Sequence, residues 1–461
     1  MSANPQAEEM RARARQIWDY AMRQASVAQA FARNVEYSRG VLRVADDLFH
    51  LARYRRVRAI SMGKAAHSMA AALTAQTGSL IEGIVAGVDS GNDSGNDSGR
   101  GPAGVQPMLP GFRYFAGGHP LPTAGSITAA DAILKTLHTL DADSLVIYLI
   151  SGGASASVEK PIDNEISLED LVQTYRVLVH SGAPIAEINA IRKHLSAIKG
   201  GRMAGAAQGA HQVSIMVSDV PPPSPTPGDN RGSDALASGP TMPDSTTIED
   251  CHRLARRYGM LEKFPPSVRE LFQRHALEET PKKDDPVFQR SRWWTVLSSH
   301  DAQEAAAAKA RELGFQTIID NQCDDWDYQA ATAHLLNNLR QHAKDGKPAC
   351  VISAGEVTVT VDGKPGRGGR NQQVALYAAT KIAGEEICML SAGSDGIDGN
   401  SPAAGAITDG RTTERAAAKA LDIQEALNHF NAYEIFHRLG DTIVTGPTGN
   451  NIRDLRILLA W

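Results

Sequence analysis

Gly355 and Glu356 precede an alternating run, Val357 to Val361, after which Gly363, Gly366, Gly368 and Gly369 lead into Arg370 and Asn371. An acidic residue, a strand and a glycine loop ending in a cation suit a phosphate and metal site. Glycine lets backbone N–H groups come close to an anion, and successive N–H groups form an anion-binding concavity. Arg370 adds a planar fork of donors matched to carboxylate or phosphate oxygens. A surface hairpin with a solvated arginine accounts for the same pattern, so partners must be sought elsewhere in the chain.

Lys64 stands in a Ser-Met-Gly-Lys-Ala-Ala turn after an apolar run, where a cation beside a helix N-terminus is well placed for an anion. The turn is not a Walker A loop, because Arg58 replaces its first glycine and Ala65 its magnesium-binding hydroxyl. Ser151, Gly152, Gly153 and Ser155 offer backbone and hydroxyl donors, without the G-x-S-x-G pattern of a nucleophile elbow. Tight packing of a βα turn explains those glycines almost as well. Arg192, Lys193, Lys199 and Arg202 crowd a segment whose apolar stripe is Ile188, Ile191, Leu195 and Ile198. Most of these cations fit a solvated face, with Arg192 or Lys193 the candidates for clamping an anionic substrate. Asp219, Asp229, Glu356, Asp395 and Asp398 fall near apparent strand ends. Converging carboxylates are what magnesium needs when it bridges a nucleotide's phosphates. Asp395 and Asp398, spaced by Gly393, Gly396 and Gly399, equally suit an Asx-turn loop.

The elements that must position these residues alternate. Strands are expected at 57–61, 84–88, 112–115, 144–150 and 213–217, separated by helical patterns, which argues for a parallel sheet covered on both faces. Ligands of such sheets sit beyond the carboxyl ends of the strands, so Lys64, Gly152, Gly153 and Asp219 could meet on one edge. The charged, strand-free stretch 246–290 reads as a helical linker. A second α/β lobe is expected over 291–461, with strands at 294–298, 316–320, 349–353 and 387–390 and a short apolar tail. The Ser-Gly-Asn-Asp repeat within 89–105 and the proline-rich 221–227 read as exposed, chemically silent loops.

The 461 residues exceed what one core holds. A formal charge of -5 gives no general attraction to nucleic acid or anionic membrane. Cys251, Cys323, Cys350 and Cys388 form no C-x-x-C pair and read as reduced thiols. No apolar signal segment opens the chain and its strongest apolar run, Leu145 to Ile150, is too short to span a bilayer, so a cytoplasmic protein is expected.

Several ordered blocks together resemble the glycerate 2-kinase family. They include Gly63-Lys64-Ala65-Ala66, Gly118-His119-Pro120, Ser151-Gly152-Gly153, Arg192-Lys193-His194-Leu195-Ser196, Lys199-Gly200-Gly201 and Ser218-Asp219-Val220. Ser238-Gly239-Pro240-Thr241, Gly368-Gly369-Arg370-Asn371-Gln372, Ser394-Asp395-Gly396-Ile397-Asp398-Gly399 and Thr448-Gly449-Asn450 continue the series. The resemblance implies a two-lobed α/β fold, each lobe a mostly parallel sheet flanked by helices, with the active site in the cleft between them. It divides the chain into a Rossmann-like kinase domain (1–245), the linker (246–290) and a MOFRL-type domain (291–461). It implies transfer of the γ-phosphoryl group of ATP to D-glycerate, with Lys64 and Arg370 matching the family's catalytic cations. Asp219 would then be the candidate base, and some of Asp219, Asp229, Glu356 and Asp395 would hold Mg²⁺. Ser151, Gly152, Gly153, Ser155, Arg192, Lys193, Gly368, Gly369 and Asn371 would bind substrate or nucleotide. Expected partners are glycerate and ATP, without nucleic acid or membrane, and with a homodimer left open.

Ala154 and Val357 depart from the family's usual glycine and proline, and the loops after Val88 and Asp219 are lengthened. Members of this family are also labelled hydroxypyruvate reductases of tartrate catabolism. A nicotinamide reductase would carry a G-x-G-x-x-G fingerprint, and Asn371 stands where the last glycine belongs after Gly366 and Gly368. A non-catalytic hydroxy-acid binding protein would keep the site and lose turnover.

Overall fold

Apolar runs in this chain become buried strands, and the computed structural model describes them within residues 5–88, 107–207, 209–220, 233–344, 346–361 and 363–461, without the side chains of 233–235. A small antiparallel sheet comes first: β1 (Val35–Ser38), β2 (Val41–Val44) and β3 (Asp47–His50). The next six strands are β4 (Arg56–Gly63), β5 (Glu82–Val88), β6 (Phe112–Gly117), β7 (Ser144–Ser151), β8 (His211–Val217) and β9 (Ser291–Leu297). They form one sheet in the order β6-β5-β4-β7-β8-β9, parallel from β6 through β8. All eight residues of β7 are buried. That is why this strand reads as an unbroken apolar run, with helices covering both faces. Ile60, Met62, Ile84, Val146, Tyr148 and Ile150 pack against Ala129, Ala130, Ile133 and Leu137 of the helix Ala124–Leu137 on one side.

Two compact units emerge, Ala30–Val296 and Met1–Gln29 joined with Leu297–Trp461. This differs from the expected division at three places. The stretch 246–290 is no linker: its helices Ile248–Arg257 and Pro266–Gln273 bury Cys251, Leu254, Val268 and Phe272 in one core with Leu171, Tyr175, Ile188 and Ile191. Their charges form the solvated face of amphipathic helices. The strand near Trp294 closes the first sheet beside β8 and does not open the second. The helix Pro5–Gln24 belongs to the second unit, where Met10, Ala14, Ile17 and Trp18 pack on Ala306, Ala307, Cys388 and Ile457.

The second large sheet is built from β10 (Gln316–Ile319), β11 (Ala349–Ala354), β12 (Ile387–Gly393), β13 (Gly405–Asp409), β14 (Thr442–Ile443) and β15 (Asp454–Ala460). Its order is β10-β11-β15-β12-β13-β14, and it is mixed, which corrects the expectation of a mostly parallel sheet in this lobe. β10 and β11 are parallel, whereas β15 runs antiparallel to both β11 and β12. The apolar tail is therefore the central strand, buried along its whole length. Its insertion explains a second difference. The alternating run Val357 to Val361 forms no strand beyond one bridge, Asp327 to Thr358, because β10 and β15 already occupy both sides of β11.

Leu458 is fully buried between β11 and β12. Truncating such a residue removes its transfer energy and leaves a cavity. Leu458→Ala is expected to cost about 2–5 kcal/mol in denaturant unfolding. Leu48→Ala, at an exposed position of β3, should stay within about 0.5 kcal/mol of wild type.

Candidate active site

Parallel pairing in register brings the carboxyl ends of β4, β5, β6 and β7 to one edge, Gly63 opposite Gly87, Val88 opposite Gly117 and Met62 opposite Ile150. Lys64, Gly152, Gly153 and Asp219 follow those ends or that of β8, as the sequence pattern predicts, and His119, which that pattern did not single out, follows β6. Lys64 is exposed, while its N–H donates to Gly152 O at 2.8 Å. Gly63 is held at φ 104°, and a Cβ there would lie 2.5 Å from both the carbonyl oxygen and Oγ of Ser151. Only a glycine lets β4 and β7 finish this close together. Gly153 has the matching role, since a Cβ on it would meet Lys64 Cγ at 3.2 Å and His119 Nδ1 at 3.6 Å.

Ser151 does not present its hydroxyl to a ligand. Fully buried, it donates to Met62 O at 3.1 Å and accepts the Ala65 N–H at 3.0 Å, stapling the Lys64 turn to β7. Ser155 lies 3.1 Å, Oγ to Oγ, from Ser238. Asp219 is half-buried at the end of β8, and Asp229 lies outside the described residues.

The four clustered cations divide. Arg192 stacks its guanidinium 4.7 Å from the Tyr175 ring centre. Lys193, 5% exposed, donates to Asp244 at 3.1 Å. Lys199 is fully buried against Glu159, and Arg202 pairs with Glu278 at 3.5 Å. A clamp made of Lys193 is thus replaced by a buried ion pair, because Asp244 approaches from a segment fifty residues away.

In the second unit, Arg370 opens the helix Arg370–Lys381 and reaches two carboxylates, Asp454 at 2.7 Å from Nε and Glu356 at 2.6 Å from Nη2. Burial opposes the charge, yet Asp454 and Glu356 raise the arginine's pKa. Burial also pushes the Glu356 carboxyl up, against the pull of Arg370. Asp454 begins β15, and Arg453 beside it donates to Asp324 at 2.6 Å. Arg456, buried in β15, donates to Gly355 O at 2.9 Å. Asp454, Asp324, Arg453 and Arg456 were absent from the sequence reading, which took the chain end as a simple apolar tail.

The glycine loop is not an open anion cradle. Gly368 N–H donates to Asn400 Oδ1 at 2.8 Å, and Asp398 accepts the Asn371 and Gln372 N–H groups at 3.1 and 2.9 Å. Asn371 is buried and accepts from Ser391 Oγ at 2.7 Å. Gly369 is obligatory because a Cβ there would overlap Asp398. Asp398 thus occupies the helix N-terminus that the sequence reserved for a phosphate. Asp395 accepts the Ile397 N–H at 3.2 Å in the expected Asx turn.

Residues 13–273 match the domain family of unknown function DUF4147, and residues 349–454 match the MOFRL family. The chain is 38% identical to glycerate 2-kinase of Pyrococcus horikoshii, over 74% of this chain and 76% of that protein. It is 35% identical to D-glycerate 2-kinase of Thermotoga maritima, over 75% and 79%. The chain belongs to the glycerate 2-kinase family. The crystal structure of the Thermotoga maritima glycerate kinase superposes with a TM-score of 0.79 at 31% identity, covering 98% of this chain and all of that one. A relative from Agrobacterium vitis, 35% identical over 74% of this chain and 76% of its own, bears a provisional hydroxypyruvate reductase name.

For a glycerate 2-kinase the carboxylates must be weighed as magnesium ligands. Among the described residues no three His, Cys, Asp or Glu side chains are grouped as a metal cage. Magnesium at a nucleotide needs fewer, because phosphates and water complete its shell. Glu356 and Asp454 are both bound to Arg370. Asp395 and Asp454 converge, each placing Oδ1 3.3 Å from where a Cβ on Gly393 would stand, and that convergence favours this pair.

Burial pushes the Asp398 carboxyl up to about 6, against the pull of the Gln372 and Asn371 amides, and Asp454 adds to the rise. A folded-state value above the ordinary 3.8 means that this group's contribution to stability is complete below pH 4 and is lost as pH rises through 6. Unfolding free energies measured in denaturant from pH 4 to 7 should therefore carry a downward component on the order of 2–3 kcal/mol, absent in Asp398→Asn.

Proposed function

We propose that this chain transfers the γ-phosphoryl group of ATP to a hydroxyl of D-glycerate, giving 2-phosphoglycerate and ADP. The observation that carries this reading is the whole-length likeness to a glycerate kinase, with Lys64 and Arg370 at the strand ends where ligands of α/β sheets bind. The acceptor oxygen forms a bond to the γ-phosphorus as the bond to the β,γ-bridging oxygen breaks, and that oxygen leaves with the electron pair. Charge spreads over the three equatorial oxygens, so catalysis rests on positioning and positive charge. Lys64 and Arg370 supply that charge in this proposal. A lysine ammonium is a compact charge on a flexible stem, whereas the planar guanidinium of Arg370 is held in one orientation by Glu356 and Asp454. Asp219 is the proposed acceptor of the hydroxyl proton. Asp395 with Asp454 would hold Mg²⁺, whose positive charge would offset that of the nucleotide's phosphates. Gly152 and Gly153 line the Lys64 turn and are the proposed neutral contacts there, with Ser155 beside them.

The described residues contain no helix long and apolar enough to cross a membrane, and all four cysteines are free and buried. The free, buried thiols support operation in a reducing compartment. Phosphorus NMR of purified protein with ATP and D-glycerate should show 2-phosphoglycerate, and NADH with hydroxypyruvate should give no turnover. Lys64→Ala and Arg370→Ala are each expected to lower kcat/KM by about 10²- to 10⁵-fold. A near-wild-type rate in either variant removes that residue from the mechanism.

A further inference from the structure

Glu159 and Lys199 form a fully buried ion pair in the first unit, outside the residues assigned to catalysis. Every lone-pair direction of the carboxylate is answered. Oε2 accepts from Lys199 Nζ and from the Tyr175 hydroxyl, and Oε1 accepts from Ser196 Oγ at 2.6 Å and the Lys160 N–H at 2.9 Å. Stability alone is a weak reason to keep such a pair, since apolar replacements of similar volume are often neutral or stabilising. What distinguishes the pair is what adjoins it.

Glu159 follows the Gly153–Ser157 turn after one residue, Val158, and in that turn the Ala156 and Ser157 N–H groups donate to Gly153 O. Lys199 directly precedes Gly200 and Gly201, whose N–H groups donate to Ser238 O at 3.0 Å and Gly239 O at 2.8 Å. Ala237 and Ser238 are held at φ 52° and 60°, a left-handed conformation that non-glycine residues keep only when surrounding structure enforces it. Ser238 then returns to Ser155 through their paired hydroxyls. The turn also seats Lys64, through Gly152 O and the bare face of Gly153. The path closes on itself, from the ion pair along both turns to the Lys64 edge.

We infer that Glu159 and Lys199 are positioning residues, holding the Gly153–Ser157 turn and the Ala237–Gly239 turn in the one arrangement that presents the Lys64 edge to its ligand. This rests on the kinase reading above for its consequence, though not for its geometry. Lys199→Met alone leaves a buried, uncompensated carboxylate and is expected to unfold at lower temperature. Glu159→Gln with Lys199→Met removes both charges together. That double variant should unfold cooperatively like wild type, while kcat falls by about 10- to 100-fold with KM for ATP and glycerate changed much less. Amide exchange within 152–158 and 236–242 should quicken by at least about tenfold, with the central strands protected as before. Wild-type kcat together with wild-type exchange in the double variant overturns the inference. If the double variant does not fold, Tyr175→Phe decides. It keeps both charges and removes one donor to Glu159, so exchange at 236–242 should still quicken, and unchanged exchange there overturns the inference. The exchange measurement needs no substrate. A wild-type protein that makes no phosphoglycerate would sink the kinase reading and leave the positioning test intact.

Discussion

Register in the first parallel sheet is the constraint from which the candidate site follows. Once β4 pairs with β5 and β7 at fixed positions, the chain must leave every strand at the same level, and each following residue faces the same edge. Lys64, Gly153, His119 and Asp219 are far apart in sequence and follow strand ends at one edge of the sheet for that reason. The cost of bringing two strand ends so near is met with glycine at position 63, where any side chain would strike Ser151. Ser151 in turn is a fastening: its hydroxyl joins one strand end to the next turn. A residue type suited to binding is here used for alignment.

The second unit arrives at a charged edge by a different route. Its last strand enters between β11 and β12 and runs against both, so Asp454 at its start stands among residues at the ends of its neighbours. Asp454 and Glu356 hold the Arg370 guanidinium in a fixed plane and keep it charged. Asp398 meanwhile satisfies the helix amides that could have received a phosphate. Positive charge at this edge therefore comes from a side chain rather than from backbone N–H groups. A guanidinium reaches further than an amide and can be aimed by its partners.

Much of the fold was legible. β4, β5, β7, β8, β11 and β12 were readable within a few residues because strands covered on both faces are near-continuous apolar runs, whichever way their neighbours point. The helices of 246–290 were legible as helices and not as part of a core, since their charged faces dominate a linear reading while Cys251, Val268 and Phe272 are hidden by contacts with Tyr175 and Ile191. Val357 to Val361 has the alternation of a strand, but both sides of β11, the strand it follows, are taken by β10 and β15. Asp395 and Gly369 were legible as loop residues, whereas Asp454 and Glu159 gave no local sign, because their importance lies in partners from distant segments.

The sequence by itself determined the class of fold, the family and the residue types available for phosphate chemistry. Those depend on local periodicity, glycine placement and the order of short blocks along the chain. Tertiary structure alone decided how deeply each charge is buried and what it faces. Lys64 is exposed, Lys193 and Lys199 are buried against Asp244 and Glu159, and Arg370 is shared by two carboxylates. A charge's role depends on the distance and burial of its partners, and these are set by how remote segments pack.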